Sequence, residues 1–533
     1  MKTFEKTLLL IAILQFLSIN SFGKQVGKLY IPDIFSDNMV IQSERPVLIW
    51  GKADPNKEIT INVSWNKIKH KTKAGKEGKW QLELAAPENK GPHKLTIISG
   101  NDKIKISNIL CGQVWLCAGQ SNMQMKMRYV SKNDRGVLDW KNEISKADYP
   151  EVRYFLLSRS KNTASSSLRE NITGKWLICT PENTGDFSGV AYFFGKTLFK
   201  NLNCPVGLID NSWGGTMIQA WMSPEALQSD PDFREYTEWV DGKIKDLPAK
   251  MKKYKKELAN WEKNKKGKKP VRPYWYPGKT HRSVQSVQFN ARVYPLREIP
   301  FAGVLWYQGE GNGDMGWLYE RLLPAMIKDW RKLFRCPELP FCVVQLPWLS
   351  SPGGKPRLYQ ANHWSELRDA QFKTCKNDKN TFLTVSIDVG DFHIHPRNKR
   401  PVGERLAYSV LSNVYHKNII GCGPIFKSVD FIDNKAIVSF ENNKSRLTPK
   451  GAKELKGFAI AGKDKHFYPA KALIKDAKIE LQCDKVKNPV AVRYGWAFYP
   501  DCNLYNEAGF PAAPFRSDEF KLLSFGKKSR KNK

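Results

Sequence analysis

The chain has 533 residues, 26% of them charged, and a formal net charge of +34. That length exceeds one ordinary hydrophobic core and implies two or three domains. The charge suits polyanions, but the lysines are spread as solvated faces without a stacking-aromatic module, which argues against nucleic-acid binding.

At the amino terminus Lys2 and Lys6 precede an apolar run over residues 8–17, and Ser21 and Gly23 are small residues before a cut. This order predicts a signal peptide over residues 1–23, export to the periplasm or the cell exterior, and a mature chain starting near Lys24. The run is shorter than the roughly 20 apolar residues of a bilayer span, so no integral membrane segment is expected. No cysteine follows closely enough for a lipoprotein anchor.

Residues 24–110 read as an N-terminal β domain. Ile59, Ile61, Val63 and Trp65 alternate with polar residues, as do Trp80, Leu82 and Leu84. From residue 111 to 420 the rhythm changes to apolar strands followed by helices. Strands are expected around 114–118, 206–209, 304–307, 341–344 and 382–385, and helices over 188–202 and 401–415. Such alternation implies a doubly wound α/β domain whose parallel strands are buried on both faces. Residues 223–290 interrupt it with a basic helical insertion and a loop near the rim of the site. Alternating strands return over 421–525 as a C-terminal β domain, and 526–533 is a basic tail expected to be disordered.

Four segments carry the chemistry. The first is Gly119-Gln120-Ser121-Asn122, where a strand ends in a turn that holds a serine as nucleophile. The second is Trp213-Gly214-Gly215-Thr216, whose Gly215 lets a backbone N–H approach an oxyanion. The third is Gln308-Gly309-Glu310-Gly311-Asn312, with Asn312 as a further donor and Gln308, like Gln120, as a substrate contact. The fourth is Ile394-His395-Pro396, past the last core strand, with His395 as base. His393 is its local competitor and His363 a more distant one among only 8 histidines. In open α/β sheets such groups gather at strand carboxyl ends. The 10 cysteines lack paired zinc spacing, so no metal is expected, and Cys117 reads as a packed small hydrophobe.

These segments, in this order, closely resemble the sialate O-acetylesterase family of the SGNH-hydrolase superfamily. Asn503-Leu504-Tyr505-Asn506 and Pro514-Phe515-Arg516 extend the resemblance into the C-terminal β segment. It implies a three-layer α/β/α domain with a parallel sheet, flanked by β-sandwich-like units. It also implies a secreted, cofactor-free esterase that removes acetyl groups from sugars. The superfamily often places an aspartate three residues before the base, and here that position is Phe392. Asp388 and Asp391 are nearby but out of register. Glu310 is the other acid that can orient His395, and a Ser–His dyad is the remaining option.

The reading is a carbohydrate O-acetylesterase acting through an acetyl-Ser121 intermediate on an acetylated sugar. Its rivals are a non-catalytic carbohydrate-binding protein and an acetylxylan-type esterase. The identity of the sugar and the oligomeric state are left open by the sequence.

Overall fold

The computed structural model describes residues 28–528 apart from 133, 160–162, 274–280, 283 and 442–444. The predicted signal peptide and the start at Lys24 lie outside the described residues.

The N-terminal unit is built from short strands: β1 (Val40–Gln42), β2 (Val47–Lys52), β3 (Glu58–Val63), β4 (Lys69–Lys73), β5 (Lys79–Leu84) and β6 (His93–Ser99). In β3 the alternation works as expected, because Ile59, Ile61 and Val63 are buried and their neighbours are not. β3 pairs with β4 and β6, while β2 and β5 form a separate pair.

The decisive element is β7 (Asp102–Gly119), an 18-residue strand with two characters. Its first half alternates between exposed and buried and pairs antiparallel with β6. Its second half is almost wholly buried, lying parallel to β10 (Val206–Ser212) on one side and β11 (Gly303–Tyr307) on the other. One continuous strand therefore crosses residues 110 and 111, where the sequence pattern changes. The N-terminal unit and the central sheet are joined through a shared strand with no linker between them.

The main path of the large sheet runs β13 (Thr381–Thr384), β12 (Phe341–Val344), β11, β7, β10, β8 (Tyr149–Leu157), β9 (Gly174–Cys179). Its core is parallel, as expected, but β9 is antiparallel to β8, so the sheet is mixed. Every residue of β10, β11 and β12 is buried, which requires cover on both faces. Helix Gly189–Leu202 packs on Arg400–Asn413, and Gly316–Leu333 packs on His363–Lys376. From β7 the chain goes to β8 on one side and later to β11 on the other. The carboxyl end of β7 is thus the switch point at which an open sheet forms a crevice.

The basic insertion forms helix Pro231–Asn264, started by Asp230, whose side chain accepts from the Asp232 N–H. Phe233, Tyr236, Thr237 and Val240 anchor its first third, and most of the rest is exposed. Among the described residues no helix is long and apolar enough to cross a membrane.

Two C-terminal antiparallel sheets enclose a second core. One holds Ile425–Ile432, Lys435–Glu441, Lys478–Gln482 and Lys471–Lys475; the other holds Phe467–Pro469, Phe458–Ala461, Ala491–Tyr494 and Phe515–Arg516. Val438, Leu481, Ile460 and Phe515 pack there with Phe372, Leu383 and Ile387 from the central unit. A buried ion pair crosses the same junction, with Arg516 Nε 2.8 Å from Asp369 Oδ2. Within the central unit Arg405 grips Asp388 through two bonds of 2.6 and 2.7 Å, and Asp388 Oδ2 also accepts from the C-terminal Tyr505 hydroxyl at 3.0 Å. The expected disorder of the basic tail fails for its first lysines. Lys528 pairs with Asp232 at 2.6 Å and Lys527 lies 3.1 Å from His363 Nε2; residues 529–533 lie outside the described residues.

Removing one partner of a buried pair strands the other charge, at a cost of about 3–5 kcal/mol. Arg516→Met should destabilise the protein on that scale in chemical unfolding. Adding Asp369→Leu should recover most of the loss, because the stranded carboxylate is then gone.

Candidate active site

The end of β7 is shaped by a close approach of main chains. Gly119 has φ +135°, and a Cβ there would lie 2.2 Å from the Tyr307 carbonyl oxygen. In register, Gly119 stands beside Ser212 of β10 and Tyr307 of β11, so three of the four motifs start from one level of the sheet. The Gln120 N–H donates to the Tyr307 carbonyl at 3.0 Å, and Ser121 opens the short helix Ser121–Gln124.

The glycines of the second motif lie against this turn. The Gly214 N–H donates to Gln124 Oε1 at 2.5 Å, and a Cβ on Gly214 would meet Ser121 Cβ at 3.3 Å. Gly215 has φ +73°, a left-handed conformation suited to glycine. The Arg282 guanidinium sits over it, with Nε and Nη2 each 3.1 Å from where a Cβ would be. No sequence pattern singles out Arg282, which lies far along the insertion.

Three polar residues expected to contact the substrate or the oxyanion bond to neighbouring chain. Gln120 Oε1 accepts from the Gly311 N–H at 3.0 Å. Gln308 donates to the Thr216 carbonyl and to Asn312 Oδ1, and accepts from the Tyr319 hydroxyl at 2.8 Å. Asn312 Oδ1 also accepts from the Ile218 N–H at 3.0 Å, while its amide donates to Gln219 Oε1. Buried amides must be satisfied, and Gln308 and Asn312 are wholly buried. They stitch the loop after β10 to the loop after β11, behind the serine.

His395 arrives on the loop beyond β13. Its N–H donates to His393 Nδ1 at 3.0 Å, with the two rings 5.1 Å apart. The tie to the nucleophile turn is Asn122, whose Nδ2 donates to the Ile394 carbonyl at 2.9 Å and to Glu310 Oε1. Asn122 Oδ1 in turn accepts from Lys399 Nζ at 2.6 Å. All three side chains are buried. Burial pushes the Glu310 carboxyl above its ordinary range, partly offset by the Asn122 bond. Burial pushes the Lys399 ammonium down to about 7, partly offset by Glu310, Asp391 and Asp134.

The other acids are occupied. Arg135 Nη1 holds Asp391 Oδ2 at 3.1 Å. Asp388 is pushed up by burial, but Arg405 and Tyr505 more than reverse that and hold it below its ordinary value. His363 heads its helix beside Lys527, away from these motifs in its contacts. Cys117 is fully buried in β7, as expected of a small hydrophobe, and burial raises its thiol well above the usual range. Among the described residues no group of three or more His, Cys, Asp or Glu could hold a metal ion.

Residues 111–253 and 274–412 match the family of carbohydrate esterases described as sialic acid-specific acetylesterase. The chain belongs to this family. It is a carboxylic-ester hydrolase. The human sialate O-acetylesterase is 29% identical over 525 residues, covering 90% of this chain and 91% of the relative. The mouse sialate O-acetylesterase is 28% identical over 529 residues, covering 90% and 93%. A solved carbohydrate acetylesterase from Xanthomonas citri superposes with TM-score 0.76 at 30% identity, covering 92% of this chain and 100% of that one. The family match spans the motifs of Ser121, Gly215, Glu310 and His395.

Two outcomes follow from the turn and from the lysine. Gly119→Ala cannot keep its backbone and must push the serine out of place; displacements of about 1 Å cost on the order of 10²-fold in rate, which kcat would show. For Lys399, the folded protein sheds its proton near 7, whereas the unfolded chain holds it to about 10.5. In that window the unfolded state binds more protons, so stability rises with pH by up to about 1.4 kcal/mol per unit. Unfolding of the native protein should therefore gain on Lys399→Met as pH rises from neutral to alkaline. A flat difference would show that Lys399 keeps its proton across that window.

Proposed function

We propose that this chain is an exported O-acetylesterase with an SGNH-type fold that removes acetyl groups from carbohydrate through an acetyl-Ser121 intermediate. The observation that carries the reading is Asn122, one buried side chain that joins the turn of Ser121 to the loop of His395. Ser121 Oγ attacks the acyl carbon while His395 takes its proton. Main-chain donors at Ser121 and Gly215 face the developing oxyanion, and fixed donors of this kind are worth on the order of 10²–10³ in rate each. As the intermediate collapses, the C–O bond to the sugar breaks and His395 returns the proton to the leaving oxygen. Water, deprotonated by His395, then attacks the acetyl carbonyl; the C–O bond to Ser121 breaks, Oγ takes the proton back from His395, and acetate leaves.

The relatives' names point to O-acetylated sialate as substrate, and Arg282 beside Gly215 supports a sugar that bears a carboxylate. Acetylxylan is the neutral alternative, and a purely sugar-binding role is the non-catalytic one. Export rests on the Lys2, Lys6 and residue 8–17 pattern, and amino-terminal sequencing of the secreted protein tests it.

Acetate release from a panel of acetylated glycans is the direct test of substrate. Ser121→Ala should abolish release from every member with the fold intact. Activity near the native level in that variant would refute the mechanism. Glu310→Gln and Asp391→Asn, assayed separately, should give one large and one small loss. Equal small losses would leave a Ser–His dyad.

A further inference from the structure

Lys399 breaks several local rules at once. The residue is only 1% exposed, although lysine is almost never fully buried without a partner. It stands immediately before helix Arg400–Asn413, where the helix macrodipole disfavours a cation. The next residue, Arg400, adds another positive charge. Residues that break local rules in a stable fold tend to mark functional positions.

What the lysine gains is one short bond, 2.6 Å from Nζ to Asn122 Oδ1, together with attraction to Glu310 and a position 5.3 Å above the Tyr307 ring. While Lys399 is protonated it can only donate, and the Ile394 carbonyl can only accept. Asn122 therefore has a single workable orientation, with its oxygen toward Lys399 and its NH2 toward Glu310 and the Ile394 carbonyl. Flipping the amide would set donor against donor on one side and acceptor against acceptor on the other.

We propose that Lys399 is a positioning residue of the active site: it fixes the amide of Asn122 so that this one side chain holds both Glu310 and the His395 loop against the Ser121 turn. The inference rests on the reading of Ser121 and His395 as the catalytic pair. Lys399 touches no reacting atom and acts through Asn122.

The test is a double-mutant cycle on kcat and KM with a small neutral acetyl ester, which makes few contacts beyond the acetyl group. Lys399→Met keeps similar length and removes the donor. It should lower kcat by about 10- to 100-fold, the scale of a lost supporting contact, with KM within about twofold. Asn122→Ala should do the same, and the double variant should be no slower than Asn122→Ala alone, because both changes cut one chain of contacts. Losses that multiply, or a Lys399→Met kcat within about threefold of native, would overturn the inference. If Lys399→Met fails to fold, Asn122→Asp decides. It keeps an acceptor for the lysine but presents a carboxylate to Glu310 and Ile394, so it should be as impaired as Asn122→Ala. Native activity there would overturn the inference too. Ser121→Ala assayed alongside separates the two ideas. Activity surviving in it condemns the catalytic reading, whereas a dead Ser121→Ala beside an unaffected Lys399→Met condemns the role of Lys399 alone.

Discussion

Three main chains meet at the end of β7 at a distance that leaves no room for a side chain. The Tyr307 carbonyl lies where a Cβ of residue 119 would be, and Ser212 stands at the same level on the other flank. A parallel sheet holds this meeting rigid because β7, β10 and β11 are buried on both faces and cannot slide without exposing apolar side chains. Each of the loops that leaves this level carries one part of the site. The serine, the glycine pair and the glutamate are thus placed by strand register, and only the histidine needs a separate tie.

That tie is polar and buried, which sets its character. Glu310, Asn122 and Lys399 form a chain in low dielectric, with the amide donating to the carboxyl and accepting from the lysine. The same low dielectric raises the glutamate, lowers the lysine, and makes any partial version of the network costly. Behind it, Gln120, Gln308 and Asn312 supply a second set of amide bonds that locks the neighbouring loops to one another. Side-chain amides tie together the loops at the carboxyl ends of these strands, beside a half-exposed serine and histidine.

Much of this was legible in the sequence where hydrophobic periodicity carries the information. Unbroken apolar runs such as Val304 to Tyr307 became buried parallel strands, and Ile59, Ile61 and Val63 became one buried face. Ser121, Gly215, Glu310 and His395 stood out because turn glycines and reactive side chains follow those runs, and the fold brings their motifs to one end of the sheet. The antiparallel pairing of β9 was not, since β8 and β9 are apolar enough to resemble any core strand. Nor were the uses of Gln308 and Asn312, because a side-chain amide has the same signature in sequence whether it faces a substrate or a carbonyl. Lys399 was hidden for a stronger reason: a lysine in a run of basic residues reads as solvated, and only three-dimensional proximity shows it buried against Asn122.

The basic insertion shows how burial divides family structure from what is particular to this chain. Helix Pro231–Asn264 begins inside the family match, which lapses between residues 253 and 274. Its buried residues, Phe233, Tyr236, Thr237 and Val240, all fall in the matched part. Arg321 reaches across to Asp230 and Asp232 there, and the carboxyl-terminal Lys528 joins Asp232 and Glu235. The unmatched turns carry exposed lysines such as Lys255, Lys256 and Lys263, whose interactions with the body of the protein are screened by solvent. The core thus constrains the root of this helix, whereas its tip can change in sequence and charge without disturbing β7 or the loops it supports. The net charge of the chain is carried largely on such surfaces, and the buried network of Glu310, Asn122 and Lys399 carries almost none of it.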